Sequence, residues 1–286
     1  MIRLLPGERE EVTRYIYSVC AITLDHSKDY LIEGRLGHLV EEYRCGTFSA
    51  FVRLAQSDSA GRLARRIIDE ITTGETLFFR DNAPFELLRH KIIPDLIDRR
   101  SRTGPRPLIR IWSAACSTGQ ELYSIAITLR ETLGDLARYD IRLLGTDISD
   151  QAVARASAGI FGPVDIERGL PGAIRSKYFL PSGDGRWKIR DEIRALTAFR
   201  RLNLMHDLSS VGIFDVVFCR NVAIYFSESD RVSLFARIGE RLASDGYLMI
   251  GAMESLNGIS PQFEAKRHLR SAFYQLTPAA GISRAT

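Results

Sequence analysis

The stretch LIRIWSAACSTGQELYSIAITLRETL, Leu108 to Leu133, constrains the fold of this chain more than any other. Leu108 to Trp112 alternate too little for a half-exposed strand and follow Gly104, Pro105 and Pro107, so they read as a buried parallel strand. Ser113 to Gly119 carries small side chains that let a ligand approach the backbone. From Gly119 the apolar positions Leu122, Ile125, Ala126, Leu129 and Leu133 recur at helical spacing, with Ser117 or Thr118 available as N-cap. A strand, a tight loop and a helix N-terminus form the ligand edge of a doubly wound α/β sheet.

Composition narrows the class. The 286 residues, 45% hydrophobic and 26% charged, suffice for one large domain or a moderate domain with a small one. No apolar run approaches the roughly 20 residues of a membrane span. Glu8, Glu10 and Glu11 stand where a signal peptide needs its apolar segment, so a cytoplasmic location is expected. Cys20, Cys45, Cys116 and Cys219 form no CxxC pair and the five histidines no HExxH, so no metal is expected. The net charge of +4 allows an anionic partner. It is small for a nucleic-acid binder, and no zinc-finger or RNP-type motif accompanies it.

Residues 8 to 72 read as helices only: Glu8–Cys20, Lys28–Tyr43, Thr47–Gln56 and Ser59–Ile71. The last two carry Arg53, Arg62, Arg65 and Arg66, either a solvated basic face or a surface for an acidic partner. TTGETLFFR, residues 72–80, joins this domain to a further helix, Pro84–Arg99, and its Phe78 and Phe79 suit a plug between domains. RRSRTGPRP, 99–107, is the clearest boundary. The domains are therefore 1–72, a linker and connecting helix 73–107, and an α/β domain 108–286.

Within the last domain a second strand, Ile141–Thr146, ends in Asp147, an acid placed for ribose hydroxyls, and a helix Asp150–Ala158 follows, capped by Ser149. Trp187–Arg190 and Leu196–Arg200 alternate, suggesting an antiparallel β-subdomain inserted at 177–201. Phe214–Cys219 is strongly β-like and delivers Arg220 and Asn221 to the ligand edge. A helix Glu228–Leu242, stopped by Asp245-Gly246, a strand Tyr247–Gly251 and a closing strand pair, Gln262–His268 and Ser271–Leu276, complete the chain.

WSAACSTGQELYSIAI, LLGTDIS, FDVVFCRNVAIYF and TTGETLFFR together resemble the CheR family of chemotaxis receptor methyltransferases, and the resemblance covers nearly the whole chain. It implies a Rossmann-like S-adenosylmethionine-dependent methyltransferase sheet with a small all-helical N-terminal domain and a small antiparallel β-subdomain. It implies transfer of methyl from S-adenosylmethionine to glutamate carboxylates of chemoreceptor cytoplasmic domains, giving glutamyl methyl esters and S-adenosylhomocysteine, with no metal and no membrane insertion. Carried over by motif, cofactor contacts fall on Thr76, Arg80, Glu121, Asp147, Asn203, Leu204, Arg220 and Asn221, and Tyr225 matches a tyrosine near the transferring methyl. On that resemblance Asp147 would bind the ribose, Glu121 the methionine ammonium, and Arg80 the methionine carboxylate or the incoming glutamate, with Arg80 and Tyr225 the catalytic candidates. Arg53, Arg62, Arg65 and Arg66 would read the acidic receptor bundle. Two positions depart from the family pattern: Gly74 stands where asparagine is frequent, and Gln120-Glu121 where Glu-Glu is. The turn LPSGDGR is about three residues shorter than in members that dock a receptor C-terminal pentapeptide, so independence of that tether is expected.

The chemistry agrees. A glutamate with pKa near ~4.3 is already ionised at pH 7, so a methyl acceptor of this kind needs no base, only proximity and a dry site. Two other readings stay open at this level: a methyltransferase with another acceptor, although the Asn-Pro-Pro-Tyr or Asp-Pro-Pro-Tyr segment of nucleic-acid amine methylation is replaced by Arg220-Asn-Val-Ala-Ile-Tyr, and a non-catalytic S-adenosylmethionine-binding regulator.

Overall fold

The computed structural model describes residues 2–102, 104, 106–268 and 271–277. The 99–107 boundary and the 108–286 domain therefore each run partly outside the described residues. Helices α1 (Glu8–Cys20), α2 (Asp29–Glu42), α3 (Phe48–Ser57) and α4 (Arg62–Ile71) bury one core that includes Ile16, Ile32, Phe51 and Ile67. In α4, Leu63, Ile67, Ile68 and Ile71 share the buried face and leave the arginines outside. At the end of α1, Ala21 adopts φ 57° and donates its N–H to the Tyr17 carbonyl, turning the chain into a short strap, residues 22–24.

The 72–80 segment is neither helix nor strand. Its Phe78 is fully buried, edge-on to Phe161 and Phe179 at 4.9 and 5.4 Å, so it anchors the segment in the core of the α/β domain and not between that domain and the helices. Phe79, Asp81 and Asn82 all have positive φ, and the Phe79 N–H is held by Ser124 Oγ at 2.9 Å. Gly169 is obligatory beneath this bend, since a Cβ there would lie 2.3 Å from the Phe78 carbonyl oxygen. The connecting helix runs as α5 (Ala83–Leu87), a π turn (Leu88–Ile92) and α6 (Ile93–Arg100). The π turn falls where Pro94, which lacks an N–H, would break the regular α ladder.

The main sheet is built from β1 (Leu108–Ala114), α7 (Gln120–Leu133), β2 (Asp140–Asp147) and α8 (Asp150–Ala158), then, after an excursion, β6 (Thr197–Arg201), β7 (Phe214–Cys219), α12 (Glu228–Glu240), β8 (Leu242–Ile250), β9 (Phe263–His268) and β10 (Ser271–Leu276). The excursion holds β3 (Ile160–Phe161), α9 (Pro163–Glu167), α10 (Gly172–Tyr178), β4 (Phe179–Pro181), β5 (Trp187–Ile189) and α11 (Asp191–Arg194). The strand order is β6-β2-β1-β7-β8-β10-β9, parallel from β6 to β8, with β10 antiparallel to both its neighbours. On β1, Ile109 and Ile111 enter one core and Trp112 and Ala114 the other, the period-2 division of a strand covered on both faces.

Three boundaries differ from the sequence expectation. The small antiparallel sheet, order β3-β5-β4, begins at Ile160 and ends at Ile189 instead of spanning 177–201. Leu196–Arg200 supplies β6, which pairs parallel to β2 at the edge of the main sheet; an exposed edge strand alternates like a hairpin strand, so periodicity alone does not separate the two. Asp245-Gly246 lies inside β8 and does not stop a helix. A register shift between Phe214 and Val216 bulges β8 there, and Asp245 is drawn outward by Arg100 at 2.8 and 2.9 Å. Among the described residues no helix is long and apolar enough to cross a membrane.

Candidate active site

Because β6 to β8 are parallel, their carboxyl ends open on one side, and the chain reverses direction of sheet growth between β1 and β7. A cavity of about 270 Å³ lies there, near the lower bound for small-ligand sites. Thr76, Arg80, Glu121, Asp147, Asn203, Leu204, Arg220, Asn221 and Tyr225 all line it. The four arginines of the helical domain, Arg53, Arg62, Arg65 and Arg66, do not.

The loop after β1 reaches the cavity through unusual backbone. Ala115, Ser117 and Gly119 have φ of 59°, 50° and 95°. Non-glycine residues in this region carry strain, which persists only where surroundings impose it. Here the Cys116 N–H bonds the Thr146 carbonyl, and the Ser117 N–H reaches Asp147 Oδ2 at 2.8 Å. Gly119 itself precedes α7 and no side chain caps that helix, so neither Ser117 nor Thr118 is its N-cap. Ser117 Oγ instead donates to the Gly74 carbonyl at 2.8 Å, and a Cβ at Gly74 would come within 3.3 Å of that oxygen.

Asp147 ends β2 with its second oxygen accepting the Ser149 N–H at 3.0 Å, while Ser149 caps α8 as its spacing predicts. Burial pushes the Asp147 carboxyl above its ordinary value, against the backbone bonds that favour its charge; nearby Asp69 adds to the rise. Each oxygen retains a lone pair for a ligand donor.

Arg220 is the electrostatic centre of the opposite wall. Its side chain is 2% exposed and bonds Glu121 Oε2 at 3.0 Å, Asp81 Oδ2 at 2.6 Å and the Arg80 carbonyl at 3.1 Å, leaving a buried Nε without a partner among the described residues. Glu121 is thus already paired, with Ser113 Oγ on its other oxygen at 2.7 Å. Among the described residues Arg80 donates once, to the Glu75 carbonyl at 3.1 Å, and keeps the rest of its fork open. Asn221, at φ 57°, is pinned through its N–H by Glu254, which also accepts from the Gly251 N–H. The Asn203 side chain serves structure: it accepts from the Met205 N–H and donates to the Val19 carbonyl of α1.

Sequence reasoning missed Asp69, Asp81 and Glu254. Asp69, on α4, accepts Ser149 Oγ at 2.6 Å and the Gln151 N–H at 3.3 Å and lines the cavity. Its partners lie 80 and 82 residues away, so no local spacing could reveal it. Asp81 was legible only as the neighbour of Arg80.

The basic helical face is largely engaged. Arg66 makes a two-point bridge to Glu42 at 2.5 and 2.9 Å, Arg65 lies 3.7 Å from Asp150 of α8, and Arg53 lies 4.0 Å from Glu11. Arg62 is exposed. These surface pairs are weak enough to exchange for a partner's carboxylates.

A cavity lined by Asp147 and Asp69 at one part and by Arg80 and Arg220 at another, with Glu75, Glu121 and Arg155 also in its lining, suits a ligand that joins hydroxyl and ammonium donors to a carboxylate. The buried Nε of Arg220 and the free lone pairs of Asp147 meet that donor set, so the residues fit an S-adenosyl amino acid.

Comparison with known proteins agrees. Residues 74–271 match the family described as CheR methyltransferase, SAM binding domain, and residues 8–72 match CheR methyltransferase, all-alpha domain. Chemotaxis protein methyltransferase Cher2 of Pseudomonas putida is 37% identical over 270 residues, covering 93% of this chain and 96% of the relative. Chemotaxis protein methyltransferase of Vibrio parahaemolyticus is 37% identical over 279 residues, covering 96% and 98%. Chemotaxis protein methyltransferase 1 of Pseudomonas aeruginosa is 38% identical over 254 residues, covering 87% and 90%.

Proposed function

The chain belongs to the CheR methyltransferase family and is an S-adenosylmethionine-dependent methyltransferase of chemotaxis, and on that premise we propose that its acceptors are glutamate side chains on the cytoplasmic domains of chemoreceptors, which become methyl esters. The observation that carries this is the absence of a disposable base. The described cavity-lining residues include no histidine or lysine, and each of their carboxylates is engaged: Glu121 by Arg220, Asp69 by Ser149 Oγ and the Gln151 N–H, Glu75 by Arg168, and both Asp147 oxygens by backbone N–H groups. An amine or alcohol acceptor would call for a proton acceptor, whereas a carboxylate is ionised on arrival. Arg80, with an open fork, supplies an attractive charge for it.

Bound S-adenosylmethionine supplies an electrophilic methyl whose sulfur departs as a neutral thioether, so no proton has to move. The chain's own residues then have three tasks. Asp147 accepts from the nucleoside, Arg80 aligns carboxylate, and Tyr225 borders the point of transfer. Arg53, Arg62, Arg65 and Arg66 offer a surface to the acidic receptor bundle, giving up their present partners as they do so.

The test is transfer of label from methyl-labelled S-adenosylmethionine to a receptor cytoplasmic fragment, followed by alkali and capture of volatile methanol. Esters release methanol; methylated amines do not. Alkali-stable label would identify another acceptor, and S-adenosylmethionine binding without transfer to any of several receptors would favour a regulator. In the same assay Arg80→Ala should lower turnover by more than tenfold, about 1.4 kcal/mol or more of transition-state stabilisation, with unfolding unchanged. Near-wild-type turnover would remove Arg80 from the mechanism.

The tight β4–β5 hairpin, closed by Ser182 N–H to the Arg186 carbonyl and Arg186 N–H to the Gly183 carbonyl, supports recognition without a receptor C-terminal pentapeptide. A receptor fragment cut short of its last residues should be methylated at the rate of the intact one. A large drop, with peptide binding seen by calorimetry, would reverse that view.

A further inference from the structure

Tyr225 closes a 3₁₀ turn, Ala223–Tyr225, between β7 and α12, and no side chain caps it. The turn's own bonds run from the Tyr225 and Phe226 N–H groups and leave the Tyr225 carbonyl free. That carbonyl is taken instead by the helical domain: Thr23, on the strap after α1, gives it both its N–H at 3.0 Å and its Oγ1 hydroxyl at 2.8 Å. The strap is aimed there by the left-handed Ala21, and its Ile22 lines the cavity alongside Tyr225. One helical turn earlier, Tyr17 Oη donates to Asp230 Oδ2 at 2.8 Å, at the start of α12 on the far side of the same turn.

We propose that Thr23 is a positioning residue for methyl transfer, holding the Tyr225 turn through two donors so that the tyrosine ring keeps its place in the cavity. This rests on the assignment of Tyr225 to the transfer end of the site. A carbonyl with two donors has both lone pairs committed, which fixes its peptide plane more tightly than one donor does. The peptide plane in turn sets the Cα–Cβ direction of Tyr225. The arrangement also ties the helical domain to the Tyr225 turn through the strap that follows α1.

The isosteric Thr23→Val keeps the N–H bond and loses only the hydroxyl, while Thr23→Ser keeps both. We expect Thr23→Val to lower kcat by about fivefold, the effect of one neutral hydrogen bond, with S-adenosylhomocysteine affinity by calorimetry unchanged within about twofold, and Thr23→Ser to restore turnover. In a Tyr225→Phe background the Val substitution should retain that effect in part or in whole only if the ring, without its hydroxyl, still matters; in Tyr225→Ala it should have none. Activity-independent evidence comes from fluorine resonances of protein labelled with 3-fluorotyrosine, where the Tyr225 signal, identified by its loss in Tyr225→Phe, should shift or broaden in Thr23→Val and not in Thr23→Ser. An unmoved Tyr225 signal overturns the proposal even if the acceptor assignment stands. A shifted signal with no change in turnover shows that Thr23 positions a residue transfer does not use, which overturns the catalytic role assigned to Tyr225 and the positioning role built on it. A loss of cofactor affinity in parallel with kcat overturns it as well, by placing the effect at the cofactor.

Discussion

Replacing Arg220 by methionine should destabilise the protein by about 3–5 kcal/mol, because it removes one partner of a buried charge cluster and leaves the others behind. Glu121 is 12% exposed and Arg220 2%, so water cannot readily take over the lost contacts of Glu121, although Asp81 at 40% can rehydrate. The same change frees the Arg80 carbonyl, the only described tie between Arg220 and the 72–80 segment's last residue, and methyl transfer should fall at least a hundredfold, about 2.7 kcal/mol. Denaturant unfolding followed by turnover of the folded fraction separates the two losses. Arg220→Lys sharpens the test: it keeps the charge, which should recover most of the stability, yet a lysine lacks the planar fork that spans Glu121 and Asp81 together. Turnover should stay more than tenfold down in that variant. If Arg220→Met unfolds at the wild-type denaturant concentration, the cluster is not an anchor of the site.

This cluster also shows what could be read from the chain in advance. Arg220 and Glu121 were visible because each follows a strand whose apolar run is unmistakable, and a parallel sheet brings all such positions to one edge. Their mutual engagement was not visible. Glu121 carried the expectation of a free carboxylate for an ammonium, and only the fold shows it neutralised by a residue 99 positions away. The same limit hid Asp69, whose partners are in another domain. Local signals performed well where the physics is local: Ser149 caps the helix it precedes, and the paired aromatics of residues 72–80 mark a segment packed into a core, with Phe78 fully buried. They failed where pairing partner decides identity. Thr197–Arg201 alternates as a hairpin strand would, yet pairs in parallel with β2, and Asp245-Gly246 has the composition of a helix stop while it bulges a strand.

Asp147→Asn should weaken S-adenosylmethionine and S-adenosylhomocysteine binding by about a hundredfold while leaving turnover at saturating cofactor within a few-fold. Hydrogen bonds to a charged acceptor contribute about 1.5–3 kcal/mol each, and two nucleoside hydroxyls directed at this carboxylate would account for a loss of that size. An amide retains one acceptor oxygen, and its NH₂ then confronts either the Ser117 or the Ser149 N–H that Asp147 now satisfies. The protein without cofactor should nevertheless unfold at nearly the same denaturant concentration. Since burial raises the Asp147 pKa in the folded state above its ordinary value near ~3.8, the linkage sign is that its contribution to stability is full below the unfolded pKa and is lost as pH rises through the folded pKa. At neutral pH the ionised group is therefore a cost to the empty fold, and neutralising it offsets the mispaired amide. Donor hydroxyls of a bound nucleoside favour the ionised form, so the wild-type affinity for S-adenosylhomocysteine should decline as pH is lowered toward the raised pKa, with proton release on binding in that range. The asparagine variant should lack this decline. Calorimetry of both proteins from pH 7 down to the lowest pH at which they stay folded reads both effects, and a wild-type affinity that tracks the variant's through the whole range would place the ribose contact elsewhere than on Asp147.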